Sequence, residues 1–367
     1  MGRQVGLIVL FALLAACAPA AWVPAQEKSV TLPPGFRLGT FAGGLGAPRF
    51  MAVSPSGDLM VSIPSRGQVV MLPDRDGDGK ADETVIVASG LNRPHGLAFH
   101  RDFLYVAETG AVVRVPYRPG ARTGGAPEVV VPDLPKGGGH WTRTIAFGPD
   151  GKLYVSVGSS CNVCEEADRR RAAILQFNPD GTGGRIFARG IRNAVGIAFH
   201  PQTGELWATN NGRDWLGDDF PPETILIVKD GAHHGWPYCN GTRIPDPDFG
   251  RPDFCRTTAT PALEIQAHSA PLGLTFYAGG AFPQAYRGSV FVALHGSWNR
   301  SVPTGYKVIH IPVRDGKPGP PEDFATGWLQ AGRAWGRPVD VVTGKDGALY
   351  VSDDRAGAIY RIVHPGR

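Results

Sequence analysis

The 367-residue chain is 42% apolar and 19% charged, which is enough to fill a core and too weakly charged for a disordered protein. Its 50 glycines and 33 prolines are spread evenly, favouring many short strands and excluding a fold built on long helices. The net charge of +4 comes with no Lys/Arg block, so no nucleic-acid partner is expected.

Residues 1–25 read as an export signal: Arg3 gives a positive start, Val5 to Ala16 is an apolar run short for a bilayer span, and small residues follow. Leu14-Ala15-Ala16-Cys17 resembles a lipobox, which would make Cys17 a lipid anchor and the only membrane contact; the alternative is cleavage after Ala20 or Ala25. Either way the protein is expected to be exported, periplasmic or lipid-anchored in the cell envelope. The four remaining cysteines suggest two disulfides, Cys239 with Cys255 and Cys161 with Cys164. Metal or redox use of the second pair is the other reading. A haem motif would need His where Glu165 stands, and a zinc site would need a second close pair.

From residue 30 to residue 367 one phrase repeats. It runs through an apolar strand, a Gly-Leu-like turn, a Pro- or Arg-bearing lead-in, a second strand, a Pro-Asp-Gly type of turn, and a strand of the Leu-Tyr-Val-Ser kind. Copies start near Ala47, Arg93, Trp141, Ile191, Ala270 and Gly336. Turns such as Ser54-Pro55-Ser56-Gly57 and Gly148-Pro149-Asp150-Gly151 join alternating β runs, as hairpins require. A copy of about 50 residues is the length of a four-stranded blade. The expected fold is an all-β, six-bladed β-propeller forming a single domain. Phe36 to Phe41 matches the outer-strand phrase of Thr84 to Ala88, so the N-terminal strand should close the last blade.

Three groups of residues carry candidate chemistry. Asp74-Arg75-Asp76-Gly77-Asp78-Gly79-Lys80-Ala81-Asp82 has the oxygen-ligand spacing and the glycine of a calcium loop, with Asp74, Asp76, Asp78 and Asp82 as ligands; Val85 stands where an EF-hand has its Glu. Asn210 to Asp214, followed by Asp218, Asp219 and Glu223, offers oxygens to a hard cation. The lead-ins to the inner strands hold Arg49, His95, His140 with Arg143, Arg192 with Asn193, His268 and Arg337. In a propeller such positions form a ring about the axis, where cations and imidazoles repel one another unless an anion sits among them. The ring predicts a polyanionic ligand. An acidic turn and a set of solvated rim residues are the bland alternatives.

The phrases Arg93-Pro94-His95-Gly96-Leu97, Gly190-Ile191-Arg192-Asn193, Gly235-Trp236-Pro237, His268-Ser269-Ala270-Pro271, His295-Gly296-Ser297-Trp298-Asn299-Arg300 and Gly336-Arg337-Pro338 resemble the soluble quinoprotein sugar dehydrogenases, in particular the sorbosone dehydrogenase branch. The resemblance implies a propeller holding pyrroloquinoline quinone (PQQ) and Ca²⁺, oxidising a sugar or sugar aldehyde at C1 and passing electrons to an external acceptor. It puts His140 at the catalytic base, Arg192 and Asn193 at the pair that polarises and contacts the quinone, and Arg337 at a cofactor-contacting Arg. Main-chain carbonyls of Gly212 and Arg213 fall on the ligands of the catalytic calcium. The chain departs from the family at Val339, where a second Arg is usual, at Gly139, where an acid precedes the base, and in Gly296 to Lys307, which lacks the cofactor-contacting Lys. Arg300 and His295 are the candidates to replace that charge, with His95 and His268 completing the cofactor ring. A calcium-dependent lactonase propeller, with several carboxylates at the channel mouth, and a non-catalytic glycan- or partner-binding propeller are the rival readings.

Overall fold

A computed structural model describes residues 1–2 and 29–365. The rest of the expected export signal, with Cys17, lies outside the described residues. Among the described residues no helix is long and apolar enough to cross a membrane.

Six four-stranded antiparallel sheets follow one another in chain order. Blade 1 is Met51–Val53, Leu59–Ile63, Gln68–Leu72 and Val85–Ala88; blade 2 is Leu97–His100, Phe103–Glu108, Ala111–Pro116 and Glu128–Val131. Blade 3 is Arg143–Phe147, Leu153–Val157, Ala173–Phe177 and Arg185–Arg189; blade 4 is Ile197–Phe199, Leu206–Asn210, Glu223–Val228 and Leu263–Ile265. Blade 5 is Pro271–Phe276, Val290–Leu294, Lys307–Ile311 and Glu322–Ala325. Blade 6 is Pro338–Thr343, Leu349–Asp353 and Ala358–Val363, completed by Arg37–Ala42. The first strands touch their neighbours in sequence right round the ring, from blade 1 to blade 6 and back, so they are the innermost strands. The seam is antiparallel, with Arg37 opposite Val363 and Thr40 opposite Tyr360.

Blades stack face to face, so a second strand is covered on both sides and is apolar at most positions. Six apolar clusters result, one at each blade interface. The recurring hydroxyl of the repeated phrase bonds the neighbouring inner strand. Oγ of Ser62, Ser156 and Ser352 accepts from the main-chain N–H of Phe50, Thr144 and Asp340 at 3.0, 3.2 and 3.1 Å. In blade 4 Thr209 Oγ1 accepts from Gly196 N at 2.8 Å and donates across to Leu272 O of blade 5 at 2.8 Å. The turn glycine is needed where the backbone goes left-handed, as at Gly151 with φ of 72°. Both cysteine pairs are disulfides: Cys161–Cys164 closes a four-residue loop after the second strand of blade 3, and Cys239–Cys255 clips the insertion between the last two strands of blade 4.

Candidate active site

Antiparallel pairing sets the start of each inner strand beside the end of the second strand; in blade 3, Arg143 stands opposite Val157. The lead-ins and the second-strand exits therefore meet at one mouth of the axis. There they enclose a cavity of about 290 Å³. Its wall carries Arg49, His140, Arg192, Asn193, His268 and Arg337 from the lead-ins, with Gly212, Asp214 and His295 from just past the second-strand exits and Glu223 from the start of the third strand of blade 4. Its floor is apolar: Val195 and Leu272 line it, and they form a buried axial cluster with Phe50 and Val339.

His140 donates from Nδ1 to the Ser159 carbonyl at 3.0 Å, with Ser159 Oγ at 2.9 Å. A carbonyl only accepts, so the proton is on Nδ1 and Nε2 keeps its lone pair. Burial, and then the charge of Arg192, push the imidazole down to about 3, so it is neutral at neutral pH. Close approach at this point depends on Gly158, where a Cβ would stand 2.6 Å from both Asn193 Oδ1 and His140 Cβ. Asn193 Oδ1 is buried with no hydrogen-bond partner among the described residues.

The three wall arginines differ. Arg192 spends all five N–H groups on the protein: Nε on Asn162 O at 2.8 Å, Nη1 on Gly212 O at 2.7 Å and Asn211 O at 3.3 Å, and Nη2 on Asn162 Oδ1 at 2.8 Å and Asp214 Oδ2 at 3.0 Å. Arg49 pairs with Asp354 at 2.7 Å, and its buried Nε has no partner among the described residues. Arg337 donates from Nε to His295 O at 3.2 Å and has no carboxylate within ion-pair distance among the described residues. His295 donates from Nε2 to Asp354 at 3.0 Å; burial keeps the imidazole at about 4, so Arg49 carries the positive charge of that trio. Burial works to raise the Asp354 carboxyl, but His295 and Arg49 hold it well below the usual carboxylate range. His268 donates from Nε2 to Gly217 O at 2.8 Å. Glu223 accepts from Gly212 N at 2.7 Å and Ala270 N at 3.2 Å, and burial pushes it up to about 7.

Several expected ring and site residues do not line the cavity. His95 is fully buried below it, with Nδ1 on Arg143 O at 3.2 Å and its ring 4.2 Å from that of Phe50. Arg143 is also fully buried and donates to the carbonyls of Pro135, His140 and Thr142, bracing the base from beneath. Both stand against their inner strands, whereas His140 is three residues further out along the lead-in that ends at Arg143. Arg300 turns away to the Asp218 carbonyl and pairs with Asp219 at 2.8 Å. The Arg213 side chain is committed to Asp246 at 2.7 Å and Asp248 at 2.9 Å. In the acidic loop, the carboxylates of Asp74, Asp76 and Asp78 come within 4.8 Å of one another, while Asp82 instead caps the Arg75 N–H at 2.7 Å. The sequence reading missed Ser159, Asn162 and Asp354. The signal that could have found two of them is the same repeat, since Ser159 and Asp354 sit just past the end of a second strand.

The TrAA12-like family profile matches residues 30–241 and 246–365. The chain belongs to that family. An uncharacterized protein of Borreliella burgdorferi is 38% identical over 219 residues, 58% of this chain and 57% of its own length. A pyrroloquinoline quinone-dependent pyranose dehydrogenase of Coprinopsis cinerea is 26% identical over 414 residues, covering 92% of this chain and 55% of its own. The chain thus spans about half the length of these curated relatives. The solved holo PQQ domain of a Coprinopsis cinerea pyranose dehydrogenase superimposes with a TM-score of 0.79 at 23% identity, over 93% of this chain and 98% of that one. A calcium structure from family AA12 of Trichoderma reesei gives 0.80 at 21% identity, over 93% and 98%. At these identities the likeness establishes the propeller.

Proposed function

We propose that the chain is a quinoprotein dehydrogenase that oxidises a sugar or sugar aldehyde at C1, using PQQ and Ca²⁺ and an external electron acceptor on the exported side of the cell. The single observation that carries this reading is the cavity wall, where Arg49, Arg192 and Arg337 converge around a neutral imidazole whose Nε2 is free to accept a proton.

The residues fit a small planar polyanion with a cation beside it. Among the described residues Arg337 lacks an anionic partner, and the buried Arg49 Nε and Asn193 Oδ1 lack any partner, so the wall is short of both an acceptor and a donor or metal. Arg337, Arg49 and Asn193 would hold PQQ, with His268 and His295 at its rim. The Gly212 carbonyl and the Glu223 carboxylate would serve the calcium, which would keep Glu223 ionised. Held by these residues, the cofactor would supply the two-electron acceptor for the C1 hydrogen.

His140 is the base for the substrate hydroxyl, oriented by Ser159 through Nδ1 so that Nε2 receives the proton. An anion in the cavity offsets the neighbouring cations and raises its basicity. Arg192, with every donor engaged, acts as a fixed positive charge at the site. Asp74, Asp76 and Asp78 form a second, structural calcium loop away from the cavity.

The test is to add PQQ to purified protein with and without Ca²⁺, follow its absorbance, and then assay dye reduction over aldoses and sugar aldehydes. A saturable, calcium-dependent spectral change with sugar-dependent dye reduction is expected. A flat titration together with no oxidation of any sugar would overturn the proposal.

A further inference from the structure

His140 and Arg192 reach the cavity from different blades, yet one four-residue loop holds both. The Asn162 carbonyl accepts from Arg192 Nε at 2.8 Å, and its Oδ1 accepts from Arg192 Nη2 and from Asp214 N, each at 2.8 Å. Its Nδ2 donates to Asp214 O at 3.1 Å. One side chain thereby ties Arg192 to the segment that brings Gly212 and Asp214 to the cavity wall. The same loop reaches the imidazole. Ser159 Oγ donates to the Cys161 carbonyl at 2.7 Å, which turns its lone pairs toward His140 Nδ1 at 2.9 Å.

The bridge between Cys161 and Cys164 closes this loop around Asn162. Both cysteines are partly exposed, whereas Cys239 and Cys255 are 5% and 1% exposed. Access favours attack on the first bridge.

We infer that Asn162 is the positioning residue of the site, and that the Cys161–Cys164 bridge, by holding its loop closed, makes the alignment of Arg192 and His140 depend on the oxidation of that bond. A dithiol opens it by exchange: one thiolate attacks a bridge sulfur and expels the other as thiolate, then the second thiol closes the reagent's own disulfide. The protein gains two thiols from the two electrons and two protons that the dithiol gives up. The site is then aligned in an oxidising compartment and loosened in a reducing one. The link to turnover rests on the proposed function; the alignment is measurable without it.

His140 faces the charges of Arg192, Arg143 and Arg171, and Arg192 weighs most among them. Freeing Arg192 from Asn162 therefore moves the His140 titration upward, which NMR of the imidazole reads in the absence of cofactor. Asn162→Ala should raise that midpoint and lower kcat at least about tenfold, with the KM for sugar changed less than about threefold. Graded dithiothreitol followed by alkylation and mass mapping should label Cys161 and Cys164 before Cys239 and Cys255, and the His140 shift should track the first pair. If Asn162→Ala does not fold, the reduction series on the natural chain decides. An unmoved midpoint after full labelling of Cys161 and Cys164, or in folded Asn162→Ala, overturns the inference. If the natural chain oxidises no sugar, the functional proposal fails, and the midpoint alone still judges the positioning role.

Discussion

The wall and the floor of the axial cavity are built from the same lead-in segments and have opposite chemistry. The wall is arginine, imidazole and amide; the floor is Phe50, Val195, Leu272 and Val339, buried against one another. In blade 4 only one residue separates Asn193 of the wall from Val195 of the floor. An extended residue advances about 3.3 Å, so a step of two or three carries a side chain from the polar rim of the cavity down to its buried apolar floor. A charge there must be bonded to the protein, as both Nη atoms of Arg143 are, or absent. Val339 follows that rule: it is fully buried in the axial cluster.

The contrast can be broken from either side. The largest effect should come from the wall: His140→Ala lowers sugar-dependent dye reduction by about a hundredfold or more while PQQ binding is retained. Near-normal turnover would remove the imidazole from the chemistry. Next is the floor, where Leu272→Ala deletes a buried side chain and should cost about 2–5 kcal/mol in urea unfolding. A loss below about 1 kcal/mol would mean that the axial cluster does not support the cavity. The third effect is on the pH dependence of stability. His140 and His295 are depressed to about 3 and about 4 in the folded chain, against roughly 6.5 when unfolded. The unfolded chain therefore binds more protons between these values. Their contribution is complete above about pH 6.5 and is lost as pH falls toward 4 and then 3, by roughly 1 kcal/mol per pH unit for each imidazole. Thermal melts of the natural chain and His295→Gln over pH 4–7 check this, with a shallower slope expected in the variant.

The architecture was legible because its cause is periodic. Each Leu-Tyr-Val-Ser strand is apolar for the same reason, and the outer-strand phrase of Phe36 to Phe41 found its partner in Ala358–Val363. The convergence of His140, Arg192, Asn193, His268 and Arg337 was legible too, since equivalent positions of blades surround the axis. Depth along the lead-in was not. His95 and His140 are the same residue type near the same point of the phrase, and only pairing geometry buries the first and exposes the second to the cavity. Arg300 was misplaced for another reason: its partners Asp218 and Asp219 lie on a loop of a different blade, and no local pattern announces that meeting. The five acceptors of Arg192 were likewise beyond a reading of spacing, because they come from two separate loops.

Five blades are contiguous in the chain, but the sixth needs Arg37–Ala42 and Ala358–Val363 together. A nascent polypeptide can zip up blade after blade and still be unable to shut the circle until its final strand has been made. Stopping short of Ala358 would leave two raw sheet margins facing water, each a template for pairing with another chain. Bringing such distant ends together costs entropy that grows only with the logarithm of the span, so the latch is slow to meet more than it is weak once met.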